Sequence, residues 1–427
     1  MTTLTRTFYA LRFRDFRLYW LGLVVSLLGS SFQRAAQDWL VYRLTNSPLI
    51  LGIAVFVPAV LAAPFSLIGG ALADRLSRRW LIVFTQTSMM LPPLALAWLI
   101  ASDQIRVWHV VLSSVLLGVL ISVDAPARAA LLNDLVNDDD LGNAMGLSTA
   151  TYQAARVVGP ALAGVLIGLQ NEALPFLING LSYGAMVLAL LLMQTQGPPP
   201  LPSASQPSLW REEWEEGGLL KEEVKVRTSL GASVVEGYRF VWRDATLLGL
   251  MILFFLRGLL LMPYLRLMPV LAKEGLQTGP ETYGVLLSST GLGALLGGLL
   301  VASLRGGQRG RILTIGTLIT PLVLILFAWS RSLPLAILTL VFMGISTASL
   351  NTLNTTLLQL NAPDEMRGRV MGIASIGYLG TTSLGALALS FIADRSNASV
   401  ALTSGAALCL VLALAVMVRF RIIRHLA

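Results

Sequence analysis

Asp38, Asp124, Arg34, Arg128, Arg156 and Arg257 stand inside stretches that are otherwise apolar, and any chemistry this chain performs has to start from them. A charge in hydrocarbon costs at least about 2.5 kcal/mol, so each must face a cavity, a partner or a moving ion. Asp38 follows Arg34 by four residues, and Arg128 follows Asp124 by four, the spacing at which helix side chains meet. Asp38 therefore reads either as a carboxyl that carries a proton or as half of an ion pair with Arg34. Asp124 and Arg128 read as a structural pair near the inner end of their span. Arg156 lies one turn after Tyr152 with no acid in its own span, so its counter-ion is a residue of another helix or an anionic substrate. Arg257 and Arg266 are nine residues apart, on opposite faces of a straight helix, although Pro263 and Pro269 argue against straightness. Arg257, the deeper of the two, is the cavity candidate.

The segment that carries Asp38 has a polar face. At 100° per residue Gly22, Ser26, Gly29, Ser30, Gln33 and Gln37 share an arc of about 100°, with Arg34 and Asp38 on its edge. The small residues permit close helix packing, and the amides and charges mark a wet surface. A neutral polar face recurs late in the chain, where Thr347, Asn351, Asn354 and Thr355 can line a vestibule or hydrogen-bond to other helices.

What must position these residues is a set of membrane spans. The chain has 427 residues, 55% hydrophobic and 13% charged. With a mean hydropathy of +0.72, that composition does not make an ordinary soluble surface. Apolar runs predict spans at about 18–42, 48–72, 80–101, 107–130, 142–169 and 174–194. A second set follows at about 246–272, 281–303, 311–330, 333–359, 368–393 and 398–418. The fold class is thus an all-α membrane protein of about twelve spans in two six-helix bundles. The expected domains are 1–194, a cytosolic linker at 195–245, and 246–427. The linker opens Gly197-Pro198-Pro199-Pro200, continues through an acidic stretch with Trp210 and Trp214 on one face, and ends in an amphipathic segment carrying Leu230, Val234, Tyr238 and Val241. Laid on itself with a shift of about 226 residues, the sequence matches Gly142, Met145, Gly146, Tyr152 and Gly159 to Gly368, Met371, Gly372, Tyr378 and Gly385.

Lys and Arg set the orientation: roughly 22 fall on the side of the Asp74 loop and about 5 on the other. Both termini are expected in the cytosol. The Asp74 loop, with Gly70, Asp74, Arg75, Arg78 and Arg79, is similar to the loop signature of the major facilitator superfamily, with Ser77 where the pattern has glycine. Phe16-Arg17-Leu18-Tyr19-Trp20, Gln37-Asp38-Trp39, Asp124-Ala125-Pro126-Ala127-Arg128 and Arg367-Gly368-Arg369 resemble the enterobactin-exporter-like branch of bacterial efflux proteins within it. Gly159-Pro160-x-x-x-Gly164 resembles the fifth-helix motif of drug/proton antiporters.

The resemblance implies a proton-coupled exporter of a small molecule (siderophore, drug or metabolite) in the bacterial inner membrane, working by alternating access as a monomer without a cofactor. It also implies a gate in which Asp74 meets the start of the eleventh span, beside Arg367 and Arg369. A proton-coupled importer and a non-transporting receptor or scaffold are the alternatives. Other classes are excluded by residue type. The net charge of +8 is spread over short loops and forms no nucleic-acid patch. Two histidines near span ends and one cysteine in an apolar run make no metal or catalytic centre. A phosphate-binding Gly-Lys-Ser/Thr loop is missing, which argues against an ATP-driven pump or any enzyme of that kind.

Overall fold

Apolar stretches of this length cross a bilayer as helices, because only there does each segment satisfy its own backbone hydrogen bonds. The structure, a computed structural model, describes residues 8–168, 172–194, 230–303, 308–420, 423 and 426. The first half contains α1 (Arg14–Thr45), α2 (Pro48–Arg75), α3 (Arg78–Ala101), α4 (Val107–Leu135), α5 (Asp138–Gly168) and α6 (Leu174–Leu192). An amphipathic helix, α7 (Leu230–Arg243), leads into the second half. There the chain forms α8 (Ala245–Leu260), α9 (Tyr264–Val270), α10 (Pro280–Ser303), α11 (Arg309–Ala328), α12 (Leu333–Asn361), α13 (Asp364–Arg395) and α14 (Ala398–Arg419). Among the described residues nine helical segments are long and apolar enough to cross a membrane, with α8, α9 and the π-helical turn Leu271–Gly275 together forming one of them. The long helices α1, α2 and α5 pack among these nine. Polar residues dilute the hydropathy of α1 and α5, and they are the same residues that the site uses.

Both halves pair their helices in the same way. In the first, α1 packs on α5 and α6, α2 on α4, and α3 on α4 and α6. In the second, α8 packs on α13 and α14, α10 on α12, and α11 on α12 and α14. The internal repeat is visible atom by atom. Gly159 of α5 is pressed against Ser31, and its counterpart Gly385 of α13 against the Leu259 carbonyl, whereas Gly142, Gly146, Gly368 and Gly372 all face open space.

The halves meet through α5 on α10 and α2 on α13. Their contacts crowd at the end of the molecule away from the chain termini. A Cβ on Gly164 of α5 would lie 2.8 Å from the Cα of Gly284 on α10, and one on Gly52 of α2 would lie 3.0 Å from the Ala386 carbonyl of α13. Ser47 Oγ donates to Asp394 at 2.5 Å, Lys273 Nζ to Asn46 at 2.8 Å, and Tyr42 Oη to Glu274. Trp39 stacks on Tyr283 with centroids 5.8 Å apart. Just outside α5, burial raises the Glu172 carboxyl, and Arg43 at 2.8 Å opposes the shift. Toward the terminal end α5 and α10 diverge: Gly291 still touches α5 at Arg156 and Val157, but Gly298 meets nothing within 4 Å. Among the described residues the halves are closed on each other at the far end and apart at the terminal end.

Some expectations shift. Helices α5 and α13 begin four residues before the predicted spans, at Asp138 and Asp364, because acidic first turns prolong a helix beyond the hydrocarbon. On α7, Val241 is buried as expected, but Tyr238 and Trp242 point outward, where amphipathic rings suit a membrane interface. The expected Trp210 to Glu216 helix and the side chains of Leu230 and Val234 lie outside the described residues.

Candidate functional site

The groove between the halves is lined from α1 inward. A cavity of about 450 Å³ takes its walls from Ser30, Arg34, Asp124, Arg128, Tyr152 and Tyr183, on α1, α4, α5 and α6. Helix α1 supplies the polar stripe read from its sequence, and α4 and α6 complete its hydrogen bonds. Asn179 Nδ2 donates to Gln33 Oε1, while Ser182 Oγ donates to Asn179 Oδ1 at 3.2 Å and Ser30 Oγ to the same oxygen at 3.4 Å. Gln37 Nε2 donates to Ser114 Oγ at 2.9 Å. Asn179 is a centre that sequence reasoning missed; a lone amide in the apolar run of α6 was its only signal. Asn179→Ala strips Gln33, Ser30 and Ser182 of a shared buried partner. The expected loss is about 1–3 kcal/mol of stability, read as a lowered unfolding midpoint of the purified protein.

Asp124 is saturated. Arg128 Nε donates to its Oδ2, and Thr85 Oγ1 and Gln86 Nε2 donate to its Oδ1 at 2.6 and 3.0 Å. The i,i+4 pair read from the sequence is present, and α3 adds two donors that the sequence did not reveal.

Asp38 does not pair with Arg34. Arg266 Nη1 reaches it from the other half, 2.8 Å from Oδ2 and 3.1 Å from Oδ1, while Arg34 donates, among the described residues, to Ser31 Oγ at 3.0 Å. The cause is a break in the seventh span: α8 stops at Leu260, Leu261–Pro263 form a turn, and α9 restarts at Tyr264, so the straight-helix geometry no longer holds for Arg266. Pro263 was the signal. Arg257, above the break, is buried at 3% exposure, with Nη2 donating to Asn351 Oδ1 at 3.3 Å. Arg156 is exposed to the groove and forms no ion pair among the described residues. Tyr152 is exposed one turn away.

At the terminal end Arg78 Nη1 binds Asp134 through both oxygens at 2.6 and 2.8 Å, and Arg79 Nη2 donates to the Leu191 carbonyl at 3.1 Å. Arg367 pairs with Asp364 at 2.5 Å and Arg369 with Glu236 of α7 at 2.7 Å. The side chains of Gly70, Asp74 and Arg75 lie outside the described residues. Gly159, Pro160 and Gly164 line the contacts of α5, Gly159 with α1 and Gly164 with α10 in the other half. Among the described residues no cluster of His, Cys, Asp and Glu could hold a metal ion.

The acids and arginines of the interior do not balance. Asp38 and Asp124 are each held by an arginine, which leaves Arg34, Arg156 and Arg257 without a carboxylate among the described residues.

A family profile described as transmembrane secretion effector matches residues 5–426. The staphyloferrin A transporter of Staphylococcus aureus (strain NCTC 8325 / PS 47) is 22% identical over 373 residues, 86% of each chain. The enterobactin exporter EntS of Shigella flexneri is 24% identical over 375 residues, 88% of this chain and 84% of that one. The crystal structure of a POT family transporter in complex with a thioalcohol-conjugated peptide superposes with a TM-score of 0.72 at 14% identity, covering 96% of each chain.

Proposed function

The chain belongs to the transmembrane secretion effector family of major facilitator transporters, and on that premise we propose that it exports a small anionic molecule in exchange for protons. The observation that carries this reading is the uncompensated charge of Arg34 on the cavity wall, of Arg156, exposed one turn from the wall residue Tyr152, and of Arg257, buried in the second half, while the two interior acids are already neutralised. In a low-dielectric cleft, fixed positive charge of that kind concentrates anions and repels cations. The name of one relative, an enterobactin exporter, supports the direction. We place the protein in a bacterial inner membrane as a monomer, with both termini and the open end of the groove in the cytosol. We divide it at 1–194, 195–245 and 246–427. Asp38 is the proposed proton carrier: protonation releases Arg266, and with it one of the ties between the halves. The groove then alternates, with Arg78, Arg79, Arg367 and Arg369 at the cytosolic gate beside the motif positions Gly70, Asp74 and Arg75.

Inverted vesicles with an acid interior test the reading. An exporter accumulates anionic cargo inside them; an importer empties preloaded vesicles, and a receptor does neither. Arg156→Gln is expected to reduce uptake of anionic cargo about tenfold, the value of one charge-assisted hydrogen bond, with Arg156→Lys intermediate because it keeps charge without the planar fork. Uptake that favours cations, or that ignores both substitutions, overturns the anionic reading.

A further inference from the structure

Arg257 is the one buried cation among the described residues whose surroundings offer it almost nothing. Its Nη2 has Asn351 at 3.3 Å, but Nε and Nη1 are enclosed and have no hydrogen-bond partner. The face of Phe254 lies 5.8 Å away, and that ring is stacked on Tyr378 at 4.3 Å, so one side of the guanidinium is walled by aromatics. Tyr378 also accepts a 3.4 Å contact from Asn351 Nδ2. The ionisable groups close enough to act on Arg257 are Tyr378 and Cys409, and neither is a carboxylate. Beside it, Thr382 Oγ1 packs against Gly258 and is likewise buried without a partner.

An arginine does not escape this position by losing its proton, and burying its charge without a partner is among the most expensive arrangements a protein can hold. Orphaned donors in one place ask for an acceptor, and a fixed charge asks for a negative one. We propose that Arg257 anchors an anion-binding site in the second half of the transporter, which takes a monovalent anion of carboxylate or halide size through its free Nε and Nη1 groups. The Phe254–Tyr378 pair walls one face of the guanidinium and keeps water from competing for its charge. The anion is either the carboxylate end of the cargo or a solute ion that fills the site between transport cycles; the chemistry of binding is the same.

Binding at this site is separable from transport. Purified full-length protein is unfolded thermally at fixed ionic strength with acetate, with chloride, or with a bulky sulfonate buffer anion that cannot enter. The expected result is a saturable rise of roughly 5 °C in the midpoint with acetate, chloride or both, and none with the sulfonate. A response to acetate that also inhibits cargo uptake assigns the site to the cargo, and a response to chloride alone assigns it to a solute ion. Arg257→Gln is expected to lose the response. Asn351→Asp keeps the arginine and supplies a fixed carboxylate 3.3 Å from it, so this variant should be more heat-stable than the parent in sulfonate and insensitive to added anion. That variant carries the test if Arg257→Gln does not fold. A parent midpoint that ignores all three anions, or an anion response unchanged in the variants, overturns the proposal.

Discussion

Asp38→Asn is expected to insert and fold normally yet lose transport driven by a pH gradient. The carboxylate receives both contacts from Arg266, which crosses from the second half of the molecule. Asparagine keeps the shape and one acceptor but cannot exchange a proton or neutralise the arginine. Arg266 retains partial exposure, a third of its side chain, so the loss is smaller than for a sealed pair. A bias of about 1–3 kcal/mol against the closed far end corresponds to roughly a 5- to 150-fold shift in the equilibrium between closed and open. Thiol labelling reads that shift, because Cys409, the only cysteine in the sequence, is fully buried and leaves engineered cysteines as the reactive ones. The exchanged pair, Asp38→Arg with Arg266→Asp, should restore closure in the same assay. A single mutant that still follows the pH gradient would remove Asp38 from the coupling mechanism.

Gly164→Val is expected to abolish transport by a different route. The closed end brings backbone against backbone: a Cβ at position 164 would sit 2.8 Å from Gly284 Cα and 2.9 Å from the Pro280 carbonyl. Neither atom belongs to a flexible side chain, so α5 and α10 must separate before the valine fits. The far end is then held open, and cysteines placed near Trp39 or Tyr283 should label as fast in the variant as they do in denaturant. Gly146→Val on the same helix provides the control, because nothing lies within 4 Å of a Cβ there in this conformation. Normal uptake by Gly164→Val would mean that the approach of α5 to α10 has no part in the cycle.

Long-range pairing was the part of this molecule that its sequence concealed. Spans such as Leu174–Leu192 and Ala398–Arg419 fall within two residues of where hydropathy put them, since a bilayer imposes its thickness on any apolar run. The Asp124–Arg128 pair was equally legible, because i,i+4 spacing on a helix is local geometry. Asp38 with Arg266 was not, being 228 residues apart and dependent on where a broken helix resumes. Thr85, Gln86, Asn179 and Asp134 were missed for the same reason: each is an ordinary polar residue until the helix opposite is known. Arg257 was identified as a cavity candidate from its depth, but that its guanidinium is left nearly unpartnered depends on side chains of three other helices.

The glycine contact between α5 and α10 also bears on energy conservation. A transporter that spends much of its life without cargo sits across a membrane whose voltage the cell must maintain, and a file of water through its closed end would short-circuit that voltage. Backbone packed on backbone at Gly164 and Gly284, with Trp39 laid over Tyr283 beside it, leaves little width for such a file. The closed end is therefore an electrical insulator as well as a steric one. A substitution that loosens it should show itself as proton leak in empty liposomes before any cargo is added.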